Sequence, residues 1–315
     1  MRPSRVATFN FLVALLFSSD SSSFGKPGVD SQIAFLEDSN SSLLRYPTQF
    51  TQNIVPKPIH SHNDYWRDVP LLTALSFGAA SVEADVWLIN GTLFVGHELG
   101  ALTESRTFDS LYVEPLVKII EGQNPRNQFT LNQPNTNGVF DMAGDVPLQL
   151  LVDVKTDGVS ALPVILSALE PLRQRGFLST FDNGTFNLGP LVVVGTGGSP
   201  LDLIKNLSPR DFFYDAPLDQ LGNSTLNTTW DISLSPIASC DYSEVVDWNG
   251  TTNISDSQRS TILNLVQNAH ARGIRARFYD TPGWPISTRD NVWRELLDDG
   301  ADWLNADDLE AASKF

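Results

Sequence analysis

The segment SVEADVWLINGTLFVGHE, residues 81–98, contains the pattern that decides the fold. An apolar run over Ser81–Leu88 is interrupted by two acidic residues, Glu83 and Asp85. Residues two apart on a strand point to the same face, so we expect both carboxylates on one side of an otherwise apolar strand. Asn90-Gly91 is typical of a tight turn, which would fold the chain back and present His97.

Similar apolar runs recur along the chain and alternate with amphipathic stretches. This alternation indicates a parallel α/β fold, and we predict a single (β/α)₈ TIM-type barrel over residues 55–315. The apolar content of 41% is sufficient for one large core. The helix candidates are Pro70–Phe77, Phe108–Glu121, Ala161–Arg175, Ser257–Arg272 and Thr288–Asp298. The eight strand candidates are Val55–Ile59, Ser81–Leu88, Leu148–Val154, Leu191–Gly195, Phe212–Tyr214, Ile232–Ile237, Ile274–Tyr279 and Trp303–Asn305.

The N-terminal region has the features of a targeting signal. Arg2 and Arg5 precede the apolar run Phe9–Phe17, which is too short for a resident membrane span. We predict a signal peptide over residues 1–24 and a Ser/Asn-rich N-terminal arm over residues 25–54. The alternative is an uncleaved N-terminal anchor in the secretory pathway.

Glycosylation sequons support export independently. Eight Asn-x-Ser/Thr sequons are typical of a glycosylated surface, and we therefore predict a secreted glycoprotein. The sequons are at Asn40, Asn90, Asn183, Asn206, Asn223, Asn227, Asn249 and Asn253.

Charge and cysteine content restrict the partners. The formal net charge of −16 disfavours nucleic acids and anionic membranes. Cys240 is the one cysteine, so no intramolecular disulfide can form. We expect a monomer without a stable membrane span.

Polar residues at the ends of predicted strands form the candidate site, because the carboxyl ends of barrel strands build the active site in this fold. Glu83 and Asp85 side by side repel each other unless a cation lies between them, and Mg²⁺ or Ca²⁺ is the usual solution. LLVDVKTDG, residues 150–158, places Asp153 and Lys155 on one strand face. These two side chains either pair with each other or supply a further metal ligand and a phosphate contact.

Only four histidines occur, and they restrict the chemistry. His60 and His62 lie in IHSHNDYW, residues 59–66, at the end of the first strand candidate. His270 lies within a helix candidate and is expected to face away from the site. His62 and His97 therefore remain as a candidate acid–base pair, since imidazole exists in both protonation states near neutrality.

The order of these motifs resembles the phosphatidylinositol-phospholipase-C-like superfamily, which includes glycerophosphodiester phosphodiesterases and spider sphingomyelinases D. The matching residues are His62, Glu83, Asp85 and His97, and LLVDVKTDG is similar to the sphingomyelinase D strand bearing a third metal-binding Asp and a Lys. The HSHNDYW form is closest to a subgroup typified by altered inheritance of mitochondria protein 6.

The resemblance implies a metal-dependent phosphoric diester hydrolase of lipid metabolism, acting on a glycerophosphodiester or lysophospholipid-like substrate. One divalent cation, Mg²⁺ or Ca²⁺, would be held by Glu83, Asp85 and Asp153, and His62 and His97 would be catalytic. The glycerophosphodiesterase opening His-Arg-Gly is replaced here by His62-Asn63-Asp64. The phosphate contact is therefore expected from Lys155, with Asn63 and Trp284 as further substrate contacts.

Two alternatives remain at this stage. His60-x-His62 also resembles the metal pair of amidohydrolase barrels, but no further histidine is available on later strand ends. A non-catalytic ligand-binding barrel is the second alternative. Paired acids of a glycosidase are less compatible, because Glu83 and Asp85 are too close in sequence to flank a sugar.

Overall fold

A computed structural model describes residues 28–41, 44, 46, 48–131, 133 and 136–315. The chain divides into two compact units between residues 47 and 48. In the first unit, a helix spans Val29–Asp38, where the sequence shows no sustained period. The predicted signal peptide, residues 1–24, lies outside the described residues. Among the helices that the structure describes, none is long and apolar enough to span a bilayer.

The second unit starts at residue 48, before the predicted barrel boundary at residue 55. The reason is local packing: the buried hydroxyl of Thr51 donates to the Val139 carbonyl at 2.6 Å and ties this segment to the barrel. The strands of this unit are β1 Lys57–Ser61, β2 Ala79–Ile89, β3 Thr92–Val95, β4 Leu148–Val154, β5 Thr180–Asp182, β6 Thr185–Asn187, β7 Leu191–Gly197, β8 Phe213–Tyr214, β9 Ala216–Pro217, β10 Ile237–Asp241, β11 Arg275–Tyr279 and β12 Leu304–Ala306.

Parallel pairing of these strands closes a barrel, as predicted. The order β12-β1-β2-β4-β7-β8 forms one sheet, and β9-β10-β11 forms another. Asp215 alone separates β8 from β9, so the two act as one barrel strand. A parallel bridge between Arg277 and Trp303 joins β11 to the start of β12 and completes the circle. Eight parallel strand positions result among the described residues.

Alternation along β2 explains both the core and the site. Val82, Ala84 and Val86 are fully buried against the surrounding helices. The residues between them face the barrel interior. The register pairs Asp85 of β2 with Asp153 of β4, so two strands place carboxylates side by side. The predicted turn at Asn90-Gly91 is confirmed: both residues have positive φ, and β3 pairs antiparallel with β2.

Helices cover the outside of the barrel. A π-helical turn, Asp109–Val113, leads into the first long helix, and the predicted helix at residues 161–175 is divided in two at Leu169. The helices are Leu72–Ser76, Glu114–Gln123, Gly158–Ala168, Glu170–Arg173, Leu201–Lys205, Tyr242–Val245, Asp256–His270, Ile286–Asp298 and Leu309–Lys314.

The sixth predicted strand was misplaced. Ile232–Ile237 was expected, but the strand is Ile237–Asp241 and residues 231–236 form a turn. The Asp231 carboxylate accepts hydrogen bonds from the backbone and hydroxyl of Ser233, and Pro236 has no N–H for a sheet. These local hydrogen bonds stabilise a turn at residues 231–236, where the apolar pattern had predicted a strand.

Candidate active site

Three carboxylates meet at the carboxyl ends of β2 and β4. Glu83, Asp85 and Asp153 each offer an oxygen, and these oxygens lie within 4.8 Å of one another. Glu83 and Asp85 are buried, and Asp153 is half-buried. The cluster could therefore hold a metal ion, since carboxylate oxygens are the ligands preferred by hard divalent cations.

Glu83 is held from several sides. The Asn63 backbone N–H donates to Glu83 Oε2 at 3.0 Å, and Asn63 itself adopts a left-handed conformation. His60 Nε2 and Arg277 Nη2 lie 3.6 and 4.0 Å from the same oxygen. Burial acts to raise the pKa of Glu83, but His60 and the Arg277 charge outweigh it and hold the pKa below its usual range. Glu83 is therefore ionised.

His60 is fully buried behind Glu83. Its Nδ1 lies 2.7 Å from the Ser81 hydroxyl, which accepts from Gln149 Nε2 at 2.8 Å. If Ser81 donates to His60 Nδ1, the ring hydrogen is on Nε2, which faces Glu83 Oε2 at 3.6 Å, beyond hydrogen-bond distance. Burial, aided by Arg277, lowers the pKa of His60 to about 3 and keeps the ring neutral. His60 is thus a neutral, fully buried ring between Ser81 and Glu83, which argues against the His60-x-His62 metal pair.

Asp85 has a raised pKa because of its burial and the other acidic groups. Burial and then the charges of Glu83 and Asp153 raise the pKa of Asp85 to about 6. Lys155 Nζ lies 3.1 Å from Asp85 Oδ2 and 2.8 Å from Asp153 Oδ2. Burial acts to lower the pKa of Lys155, but these two carboxylates raise it. The single ammonium of Lys155 faces the carboxylates of both Asp85 and Asp153, so its charge cannot balance both.

The donor set fits a divalent cation. Asp85 Oδ1 and Asp153 Oδ1 are buried without a hydrogen-bond partner among the described residues. Gly197 has φ +60°, and a Cβ there would lie 2.0 Å from Asp153 Oδ1. The glycine therefore leaves this oxygen unobstructed. Buried carboxylate oxygens without partners are costly unless a cation pairs with them.

His62 has a carboxylate partner. Its Nδ1 donates to Asp307 Oδ1 at 2.8 Å, and its Nε2 lies 3.9 Å from Glu83 Oε2. Arg67 fixes this region, because it donates to the carbonyls of His62 and Ala306 at 3.0 and 3.2 Å. The ring is therefore oriented with Nε2 toward the carboxylate cluster.

His97 has a phenol partner. Its Nδ1 lies 3.1 Å from the Tyr65 hydroxyl and 3.5 Å from Asp85 Oδ2, while half of the side chain is exposed. Tyr65 also donates to Asp85 Oδ2 at 2.6 Å. Burial and Asp85 raise the pKa of Tyr65, so its hydroxyl keeps its proton. The two histidines thus flank the carboxylates from different sides.

The other predicted residues have different surroundings. Asn63 is 6% exposed and contacts Glu83, Tyr65 and His62, so its polar groups are already engaged. Trp284 is 77% exposed in the loop after β11, and no described contact joins it to the cluster. His270 bonds Asp302 at 2.7 Å, away from the site, as expected.

Sequence reasoning missed four residues of this region. Tyr65 lies within IHSHNDYW and Asp307 lies two residues after the strand candidate Trp303–Asn305, but neither was assigned a role. Arg277 and Asp215 carry no motif. Arg277 is a charged residue within a strand candidate and Asp215 directly follows another, and both come near Glu83 only when the barrel closes.

Asp215 provides a prediction on pH dependence. Burial raises its pKa to about 6, against the opposing charge of Arg277. The folded pKa lies above the unfolded value of about 3.9, so ionisation destabilises the native state as pH rises through 6. We therefore expect the difference in unfolding free energy between Asp215→Asn and wild type to increase as the pH rises. The increase should be about 2 kcal/mol in favour of the variant from about pH 4.5 to 7.5.

Thermal or urea unfolding in chelator measures this difference. Asp219→Asn, at an exposed carboxylate on the same segment, is the control and should follow wild type at every pH. A constant offset between Asp215→Asn and wild type would contradict the assignment.

The sequence and the structure are similar to those of known proteins. Residues 48–215 match the family model described as AIM6-like phosphodiesterase domain. Altered inheritance of mitochondria protein 6 homolog from Arthroderma benhamiae is 42% identical over 90% of this chain and 91% of its own length. Altered inheritance of mitochondria protein 6 from Eremothecium gossypii is 39% identical over 82% of this chain and 69% of its length. A crystal structure of a glycerophosphodiester phosphodiesterase from Parabacteroides distasonis aligns with TM-score 0.44 and 13% identity over 82% of this chain and 95% of that chain.

Proposed function

This chain belongs to the AIM6-like phosphodiesterase family, and on that premise we propose that it is a metal-dependent hydrolase of a glycerophosphodiester or lysophospholipid-like substrate. One observation carries the proposal: three carboxylates within 4.8 Å lie at the carboxyl ends of barrel strands, between two histidines that each have an orienting partner. Two held imidazoles on different sides of an anionic cluster suit displacement at a phosphodiester.

Glu83, Asp85 and Asp153 would hold one Mg²⁺ or Ca²⁺. When bound, such a cation supplies charge that offsets the anionic phosphodiester oxygens. The protein's own part is to place these carboxylates: His60 and Arg277 favour the ionised form of Glu83, and Lys155 contacts both aspartates.

His62 is assigned to the attack side. Asp307 holds the Nδ1 proton, so the Nε2 lone pair is free to accept a proton from the attacking hydroxyl or to attack directly. The attacker is water or a hydroxyl of the substrate itself, and a cyclic phosphate results in the second case.

His97 is assigned to the leaving-group side. Its half-exposed ring can give a proton to the departing alkoxide, which lowers the cost of breaking the P–O bond. Lys155, Asn63 and Trp284 complete the proposal as substrate contacts: Lys155 for a phosphate oxygen, Asn63 beside His62, and the exposed indole for the alcohol portion.

The substrate assay is a panel of glycerophosphocholine, lysophosphatidylcholine, sphingomyelin and phosphatidylinositol, each with Mg²⁺, with Ca²⁺ and with chelator. We expect cleavage of the P–O ester of one class or more in the presence of cation. Phosphorus NMR of the product distinguishes an open monoester from a cyclic phosphate. The purified Asp153→Asn variant controls for contaminating activity, and equal turnover by this variant would contradict the proposal.

We also propose that the chain is exported, glycosylated and monomeric. All eight sequon asparagines are exposed, which is compatible with glycan attachment.

A further inference from the structure

Tyr65 lies at the centre of the candidate site, although no motif assigned it a role. The residue is 2% exposed. Its hydroxyl lies 2.6 Å from Asp85 Oδ2 and 3.1 Å from His97 Nδ1, and it also bonds Asn63 Oδ1. One phenol oxygen therefore touches a carboxylate of the cluster, one of the two histidines and the residue that follows the other histidine.

We propose that Tyr65 is a positioning residue whose hydroxyl fixes the ring orientation and the tautomer of His97. The catalytic consequence rests on the proposed function, but the orientation itself does not. Asp85 and Tyr65 together would present His97 with Nδ1 turned inward and Nε2 turned toward the opening of the barrel.

Counting hydrogens leads to the tautomer. A phenol has one hydrogen to donate and two lone pairs, and an ionised carboxylate only accepts. Asp85 Oδ2 and Asn63 Oδ1 both accept, so they compete for the single hydroxyl hydrogen. Tyr65 then has no hydrogen left for His97. The contact to His97 Nδ1 is a hydrogen bond only if Nδ1 carries a hydrogen and donates it to the phenol oxygen.

Little else holds the His97 ring. Half of the side chain is exposed, and Asp85 Oδ2 at 3.5 Å is at the limit of hydrogen bonding. The Trp66 ring lies 5.2 Å away between centroids with a tilt of 60°, and Trp66 itself is 58% exposed. The phenol is thus the one close polar contact of this imidazole among the described residues.

Tyr65 is itself held firmly. Arg106 donates to its backbone carbonyl. Its neighbour Asp64 is buried and accepts from Ser61 Oγ at 2.8 Å, from the Leu71 backbone at 2.7 Å and from the Tyr112 hydroxyl at 3.0 Å. A short helical turn, Asp64–Trp66, links these anchors. The Tyr65 hydroxyl is therefore held in a fixed position, from which it can orient the half-exposed His97 ring.

The first test needs no variant. In the full chain with labelled histidine, nitrogen NMR at a pH where imidazole is neutral reports which ring nitrogen carries the hydrogen. We expect the Nδ1–H tautomer for His97. A majority of Nε2–H in the folded wild type would overturn the proposal.

The second test is Tyr65→Phe, which keeps the ring and removes the hydroxyl. We expect His97 to lose its tautomer preference and kcat to fall about 10- to 100-fold with a smaller change in KM. Tyr242→Phe removes another buried hydroxyl, which donates to the Trp248 carbonyl, and serves as the control with unchanged kcat and His97 signals. A folded Tyr65→Phe chain with the wild-type tautomer would overturn the proposal. Failure of the proposed function would instead appear as no phosphodiester turnover by the wild type, with the His97 tautomer unaffected.

Discussion

Replacing His97 with alanine is expected to lower kcat about 10²- to 10⁴-fold for a natural phosphodiester, because the leaving alkoxide then departs without a proton. The fold should survive, since half of the His97 side chain is exposed and its ring contacts Trp66, which is itself exposed. Steady-state kinetics and thermal unfolding of the variant measure the two effects. A near-normal rate would remove His97 from the site.

The leaving group distinguishes the two histidines. A nitrophenyl ester releases a stable anion that needs little protonation, so His97→Ala should lose much less activity on it than on an alkyl ester. His62→Ala should lose activity equally on both, because attack is impaired whatever departs. His270→Ala is the control: this histidine pairs with Asp302 away from the cluster, and its rate should equal that of wild type. Equal losses for His97→Ala on the two esters would contradict its role as acid.

The parts of the site that depend on short-range pattern were predictable from sequence. Glu83 and Asp85 share a face because alternation along one strand is local, and Asn90-Gly91 forces the turn that precedes His97. Asp153 was predicted as a metal ligand because the segment LLVDVKTDG resembles the sphingomyelinase D strand that bears such a residue. The register then placed Asp153 directly beside Asp85, which no local pattern specifies.

The parts that depend on closure of the barrel were not predictable. Arg277 lies far from Glu83 in sequence, yet its guanidinium comes within 4.0 Å of that carboxylate. Asp307 meets His62 because β12 pairs with β1. The sequence left Lys155 either paired with Asp153 or in contact with phosphate, and it did not indicate the contact with Asp85 that the structure shows at 3.1 Å. The contacts Arg277–Glu83, Asp307–His62 and Lys155–Asp85 each join different strands or the residues that directly follow them, so these partners emerge only when the strand order is known.

Chelation should abolish phosphodiesterase activity, and added Mg²⁺ or Ca²⁺ should restore it. The physical reason is the charge imbalance at the cluster: Asp85 Oδ1 and Asp153 Oδ1 are buried without partners, and Lys155 alone compensates two aspartates. A ligand that binds only the native state stabilises it, so cation should also raise the melting temperature in the absence of substrate. Activity that persists in chelator would contradict the assignment of a cation.

The pH dependence of that stabilisation gives a further check with a definite sign. Burial, Glu83 and Asp153 raise the pKa of Asp85 to about 6, so below this pH a proton competes with the cation for its carboxylate. The rise in melting temperature on adding cation should therefore be larger at about pH 7.5 than at about pH 5. Asp153→Asn should lose most of the rise, whereas Asp145→Asn, at an exposed carboxylate, should keep it. An equal rise in both variants would place the bound cation elsewhere on this acidic surface, because only a site built from Asp153 discriminates between them.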